Sequence, residues 1–101
     1  MKLHIDTSSN QKTIIRLGNT ELVEDSSVWR SQVLLPMIDE LLKKEGKMVG
    51  EIREIRVVEG TGSFTGLRVG VAVANALGYA LKIPVNGKRP DKLEIVEPKY
   101  E

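Results

Sequence analysis

The sequence predicts an α/β protein, a single lobe in which two helices cover a mixed sheet. The first quarter of the chain contains three short strand-like runs, the first of them strictly alternating, and they are separated by turn residues, as in antiparallel strands. Two longer segments with helical spacing follow, and each leads into a short apolar run. The resulting order β-β-β-α-β-α-β predicts a five-stranded mixed sheet, because parallel strands need helical crossovers.

The three N-terminal strands are predicted over Lys2–Asp6, Gln11–Leu17 and Thr20–Glu24. The segment 7–10 and the pair Gly18-Asn19 consist of turn residues, whose short polar side chains bond their own backbone. These tight connections predict consecutive antiparallel hairpins.

The first helix is expected to begin after Ser26 or Ser27, either of which is a good N-cap, and to end at Gly46. Pro36 lies inside it. The remaining predicted elements are, in order, a strand over Ile52–Glu59, a glycine-rich loop over 60–66, a helix over Gly66–Leu81, a short strand over Ile83–Val85, a polar linker over Lys88–Lys92 and a final short strand over Leu93–Val96. We divide the chain into a lobe at 1–87 and a linker and tail at 88–101.

Composition excludes several classes of function. The chain has 101 residues, 41% of them hydrophobic, with a net charge of +1, so a strongly basic nucleic-acid arm or a polybasic membrane patch is excluded. It contains no cysteine, which excludes disulfides, thiol nucleophiles and zinc–cysteine sites. The N-terminus does not resemble a signal peptide, and no apolar run is long enough to cross a membrane. We expect a soluble cytoplasmic protein.

Two loops are candidates for a binding site. The glycine-rich loop lies between a strand and a helix, where backbone amides can bind a phosphate, but it matches neither a phosphate-binding loop nor a dinucleotide fingerprint. Asp6-Thr7-Ser8 follows the first strand, and its ordinary interpretation is an Asx turn. A structural turn is favoured for both loops, with anion binding as the alternative; the candidate residues are Asp6, Thr7, Ser8, Gly60, Gly62 and Ser63.

Catalytic and metal sites are not predicted. His4 is the only histidine and lies in the middle of a strand, without the second histidine or carboxylate cluster that a metal site needs. We therefore expect no catalytic residue, no metal and no cofactor.

The second helix is apolar on nearly all sides, whereas a helix that covers one sheet needs only one apolar stripe. Its small residues also fall in one row, which permits close approach of another helix. The first helix carries surplus apolar residues as well. We therefore predict that both helices pair with a partner, and alternatively that the first helix fills the groove within the monomer. The predicted partner surface comprises Trp29, Val33, Met37, Gly66, Gly70, Val71, Ala74 and Gly78.

Four stretches resemble successive signatures of the TsaB (YeaZ) family. They are LHIDTS at 3–8, SQVLLPMI at 31–38, GTGSFTGLRVG at 60–70 and IPVNG at 83–87, and the glycine-rich one is the most specific. The similarity covers about residues 1–87, and the tail EPKY at 97–100 is similar to the end of full-length members. The second lobe of that family is not represented.

The resemblance implies a ribonuclease H-like, actin-like lobe and a role in making threonylcarbamoyladenosine in tRNA. It implies a non-catalytic scaffold that pairs through its helices with itself or with the catalytic subunit TsaD, alongside the ATPase TsaE, and that meets tRNA only indirectly. Members have been labelled glycoproteases, but a lone His4 offers no support for that chemistry. Two alternatives remain: a small phosphate- or nucleotide-binding enzyme that uses Asp6 and the glycine-rich loop, and a homodimeric interaction module without a tRNA role.

Overall fold

The structure, a computed structural model, describes residues 1–9, 11–25, 30–60, 62 and 64–99, with backbone alone at 30–33 and 64. The predicted caps Ser26 and Ser27 lie outside these residues. The regular elements are β1 (Lys2–Asp6), β2 (Lys12–Leu17), β3 (Thr20–Asp25), α1 (Arg30–Glu45), β4 (Glu54–Val57) and α2 (Phe64–Leu81), with short 3-10 turns at Val49–Glu51 and Pro90–Lys92.

The sheet has four strands in the order β3-β2-β1-β4. β1 and β2, and β2 and β3, pair antiparallel as the hairpin pattern predicts, whereas β1 and β4 pair parallel across the α1 crossover. The mixed sheet is thereby confirmed. Its two outer strands are β3 on one side and β4 on the other.

Strand alternation sends one set of side chains into a single core. Leu3 and Ile5 on β1, Ile15 on β2 and Ile55 on β4 are at most 1% exposed. Both helices pack on this face of the sheet, α1 through Leu34, Met37 and Leu41 and α2 through Val71 and Ala74, and all of them belong to one hydrophobic cluster.

The helix ends follow their sequence signals. α1 ends at Glu45, and Gly46 has a φ of +63°, the left-handed conformation that glycine adopts easily after a helix C-terminus. The amide of Lys47 then donates to the carbonyl of Leu42 and closes the helix end. α2 spans Phe64–Leu81 and so begins two residues before the predicted start.

The C-terminal part of the chain differs from prediction. The fifth strand is reduced to single bridges, in which Val85 pairs parallel with Ile55 and antiparallel with Lys88. The final strand suggested over Leu93–Val96 does not form. Pro90, in the predicted polar linker, is buried, and Val96 is 2% exposed. Segment 90–99 therefore packs onto the lobe through Pro90 and Val96, which lie beside α2.

Among the described residues, no helix is both long enough and apolar enough to cross a membrane.

Candidate partner surface and loop site

The loop after β1 is held by its own side chains. One carboxylate oxygen of Asp6, Oδ1, accepts hydrogen bonds from the Ser8 amide at 2.9 Å and the Ser8 hydroxyl at 2.5 Å. This is the Asx turn that the sequence predicts, in which a short acidic side chain takes the place of a backbone acceptor.

Thr7 joins this loop to the start of α2. Its side chain is fully buried, and its hydroxyl donates to the carbonyl of Gly66 at 2.6 Å. A Cβ atom at Gly62 would lie 2.6 Å from the backbone oxygen of Ser8, so the glycine-rich loop passes directly over the first loop. The two loops are therefore in contact and support each other. Anion binding here stays a prediction, and Ser63 lies outside the described residues.

The small-residue row of α2 faces its own sheet. A Cβ at Gly70 would collide with the Thr7 side chain, and one at Gly78 would collide with Val85 and come within 3.0 Å of Pro90. Gly66 is buried, and Ala74 is fully buried in the core. The row permits close approach, as predicted, but of the sheet and the C-terminal segment within the same chain.

The described residues of the predicted partner surface therefore lie inside the lobe. Besides the row itself, Met37 and Val71 are each 3% exposed and lie in the core, so neither is available to a partner. Helical spacing places Gly66, Gly70, Ala74 and Gly78 in one row of α2, but on a helix that is apolar all round it does not show which face meets the sheet. The other two predicted contacts, Trp29 and the side chain of Val33, lie outside the described residues.

A second strip of α2 faces away from the sheet. Ala72, Ala76 and Ala80 are exposed along it, and Tyr79 is 63% exposed. The half-buried Val69 and Val73 border it. We call the exposed residues Arg68, Ala72, Ala76, Tyr79 and Ala80 the outer strip. It carries one charge, which is unusual for the exposed side of a helix in a lobe of this size.

α1 differs along its length. Its N-terminal half exposes Leu35 to 53%, beside Pro36. Its C-terminal half exposes two i,i+4 ion pairs, Lys43–Asp39 at 3.0 Å and Lys44–Glu40 at 3.5 Å. Among the described residues, exposed apolar side chains are thus found on both helices, and for the first helix the predicted surplus is described only at Leu35.

Two asparagines have a role that the sequence pattern did not reveal. Asn75 donates to the Val96 carbonyl at 2.8 Å and accepts from the Val96 amide at 3.1 Å. Asn86 likewise bonds both the amide of Val57, at 2.9 Å, and its carbonyl, at 2.8 Å. Each side-chain amide thereby makes the two hydrogen bonds to the backbone of one valine that a neighbouring strand would otherwise make. A polar residue in the middle of an otherwise apolar helix was the available signal for Asn75.

Asn86 also orients a carboxylate beside the two loops. It donates to Glu59 at 2.8 Å, and Lys99 pairs with the other oxygen of Glu59 at 2.9 Å. The hydrogen bonds from Lys99 and Asn86 lower the pKa of Glu59 below its usual value, and the same contact raises the pKa of Lys99. The segment that ends at Lys99 is thus bound at the C-terminal end of β4.

The sheet face opposite the helices forms a groove of about 590 Å³. Cross-strand pairing places Arg56, His4, Arg16 and Glu21 in one row across it. Burial, followed by the charge of Arg16, lowers the pKa of His4 below its usual value. Within the part of the chain that the structure describes, no three histidine, cysteine or acidic side chains are placed to hold a metal ion.

The helix-covered mixed sheet and the glycine-rich loop define the class to which this lobe belongs, and one family model matches most of the lobe. Residues 24–87 match the model "TsaD: tRNA N6-adenosine threonylcarbamoyltransferase". The chain belongs to this family, and within it to the TsaB (YeaZ) proteins.

The relatives are longer proteins. The chain is 33% identical over 86 residues to the tRNA threonylcarbamoyladenosine biosynthesis protein TsaB of Haemophilus influenzae, matching 82% of this chain and 36% of that protein. It superimposes on YeaZ from Pseudomonas aeruginosa with a TM-score of 0.69 and 30% identity, over 83% of this chain and 40% of that one. It is also 41% identical over 54 residues to a tRNA N6-adenosine threonylcarbamoyltransferase of Nitrosospira multiformis, 54% of this chain and 16% of that protein. The chain thus spans well under half the length of each.

Proposed function

We propose that this chain is a non-catalytic partner protein in the synthesis of threonylcarbamoyladenosine in tRNA. In this role it binds a TsaD-like catalytic subunit in the cytoplasm, with a TsaE-like ATPase as a further component. In isolation it pairs with a second copy of itself. The outer strip of α2 is the observation that carries the proposal, together with the membership of the TsaB family.

The outer strip suits the docking of a helix. Three alanines at positions 72, 76 and 80 lie one helical turn apart, and side chains this small let a second helix approach closely. Tyr79 offers a large amphipathic side chain beside them, of the kind enriched at the centre of protein interfaces. Leu35 on α1 extends the apolar area.

The similarity to a TsaD-type enzyme supports the choice of partner. The segment matched by the Nitrosospira multiformis transferase covers about half of this chain, so such enzymes share part of this lobe. Two related lobes can pair through equivalent helices in nearly the same way as two identical ones. The same outer strip then serves a second copy or a TsaD-like subunit, and the two compete for it.

The loop geometry supports a role without catalysis. Asp6 is engaged by Ser8 and Glu59 by Asn86 and Lys99, so the carboxylates nearest the glycine-rich loop act as structural acceptors. These bonds fix the loops, which favours a structural over an enzymatic interpretation.

The decisive experiment measures binding to a TsaD-like protein from the same source. Ala76→Glu places a charge in the middle of the outer strip and should weaken both this complex and self-association at least about tenfold, because the carboxylate is desolvated without a partner. Met48→Glu is the matched control: Met48 is 76% exposed and lies in the connection between α1 and β4. It should leave both complexes intact.

The functional test is whether the protein restores modified tRNA in a cell. A cell that lacks its own copy of this protein should regain threonylcarbamoyladenosine with the parent chain and with Met48→Glu, but not with Ala76→Glu. Full restoration by Ala76→Glu would contradict the assignment of the outer strip. Failure of the parent chain to bind any TsaD-like protein would contradict the proposed partner.

A further inference from the structure

Leu93 combines two features that are unfavourable for an isolated lobe. Its side chain is 89% exposed, more than that of any other large apolar residue in the described part of the chain. Its φ is +67°, in the left-handed region that branched side chains rarely adopt. This conformation caps the 3-10 turn Pro90–Lys92 and holds the leucine side chain exposed, which makes it a candidate for contact with another molecule.

The residues after Leu93 present a short, firmly held recognition segment. Val96 is buried and bound at both backbone groups by Asn75, which fixes the segment against α2. Ile95, by contrast, is 51% exposed, and Glu94 and Glu97 are exposed on either side of it. The outward surface of 93–97 is therefore apolar and acidic, and its rigid attachment lowers the entropic cost of binding.

The groove on the bare sheet face offers apolar and guanidinium groups to such a surface, beside the three carboxylates of Asp6, Glu21 and Glu59. Ile14 and Val58 form a half-buried apolar floor, next to the row that contains Arg16 and Arg56. The carboxylates of Asp6 and Glu59, which also line the groove, are already engaged with Ser8, Asn86 and Lys99.

The two arginines remain available to further carboxylates. Arg16 pairs with Glu21 and Arg56 with Glu54, both at 2.9 Å, but each pair is on the surface and about half of each arginine side chain is exposed. Exposed pairs of this kind are weak, and a guanidinium has five N–H donors.

We propose that segment 93–97 of one copy binds in the sheet groove of a second copy. Leu93 and Ile95 cover Ile14 and Val58, while Glu94 and Glu97 meet Arg16 and Arg56. The contact is head-to-tail, so it is distinct from pairing through the outer strip and can extend to a third copy. The inference stands on different residues from the proposed function.

The first test uses a synthetic peptide with the sequence of residues 91–97, DKLEIVE, titrated into the full chain with the Ala76→Glu change and followed by NMR. We expect saturable shifts at Ile14, Arg16 and Arg56. Replacing the leucine of the peptide by glycine should weaken binding about tenfold or more, since one of its two apolar contacts is lost. Shifts confined to other surfaces, or no saturable binding, would overturn the proposal.

A charge exchange tests the pairing itself. A protein with both Arg16→Glu and Arg56→Glu should no longer bind the parent peptide and should bind a peptide in which both glutamates are replaced by arginine. NMR spectra verify that the variant protein is folded. In case that protein does not fold, the single Arg16→Glu variant should show the same change of preference to a smaller extent. Unchanged preference in a folded variant would overturn the proposal.

The full chain gives the last test, by sedimentation velocity in the Ala76→Glu background, where the outer strip is blocked. Leu93→Gly should weaken the remaining self-association about tenfold or more, and Met48→Ser, the control, should not. High salt should also weaken it, because the charges are exposed. A chain that is monomeric at 1 mM with Ala76→Glu alone, or that associates equally with and without Leu93, would overturn the proposal.

Discussion

The two sides of helix α2 are built from nearly the same small residues and yet have opposite surroundings. The inner side, with Gly70, Ala74 and Gly78, lies against the sheet and the C-terminal segment, where there is no room for a further carbon atom at either glycine. The outer side, with Ala72 and Ala76, is exposed. Small size therefore does not by itself identify a partner surface; what lies opposite the small residue does.

The following predictions test this contrast around the helix, in the order of their expected effect on the free energy of unfolding.

Gly70→Leu should have the largest effect. Its side chain would have to displace Thr7, which is fully buried and bonded to Gly66, so overpacking adds to the loss of a buried hydrogen bond. We expect a loss of about 3 kcal/mol or more. Urea unfolding measures it, and Ala72→Leu, two residues on and exposed, is the matched control with little change. A Gly70→Leu protein as stable as the parent would show that the inner side of α2 does not pack closely against Thr7.

Asn75→Ala should have the next largest effect, on the lateral side of α2. It leaves the amide and carbonyl of the buried Val96 without their partner, at a cost of about 1–3 kcal/mol. Segment 93–97 should loosen, which faster amide hydrogen exchange at Val96 would report. Thr65→Ala, at an exposed polar position of the same helix, should change stability by less than about 0.5 kcal/mol. Unaltered exchange at Val96 would show that the asparagine does not fix the segment.

The Glu59–Lys99 contact should make a small, pH-dependent contribution. The folded pKa of Glu59 is lowered, so its stabilisation is present above the unfolded value of about 4.3 and is lost as the pH falls through the folded pKa. The folded pKa of Lys99 is raised, so its part is present below about 10.4 and is lost as the pH rises through the folded pKa.

Glu59→Gln tests this contribution by comparison of the stability of parent and variant at several pH values. The difference should be constant near neutral pH and should shrink below about pH 4. A difference that does not depend on pH would mean that the side chain acts only by its shape and its hydrogen bond to Asn86.

Ala76→Glu should have almost no effect on stability, because its side chain is exposed on the outer strip. We expect a change within about 0.5 kcal/mol together with the loss of association proposed above. Gly70→Leu would then reduce folding stability and Ala76→Glu would reduce only association, so the two sides of one helix would be distinguished by experiment. Marked destabilisation by Ala76→Glu would show that the outer strip also supports the lobe.

Much of the fold could be predicted because its signals are local. The hairpins of β1 to β3 follow from the alternation in β1, the apolar residues of β2 and β3 and the turn residues between the strands, and the C-terminus of α1 follows from Gly46. The Asx turn at Asp6 follows from the reach of one short side chain. Each of these depends on residues that are neighbours in the chain.

The parts that were missed depend on contacts between distant residues. Val85 makes only single bridges, since the chain turns at Asn86 and Gly87, and the Asn86 side chain, rather than a longer strand, bonds Val57. The final segment stays irregular, because its valine is satisfied by Asn75. A backbone group that finds a side-chain partner needs no strand neighbour.

The sequence by itself determined the class of the fold, the order of its elements as far as α2 and the family, because periodicity, turn residues and the glycine-rich motif are properties of short stretches of chain. Only the tertiary structure decided which side of α2 is closed and which is open. A helix that is apolar all round has no periodic signal to orient it, so its orientation depends on the space that Thr7, Val85 and Pro90 leave beside it.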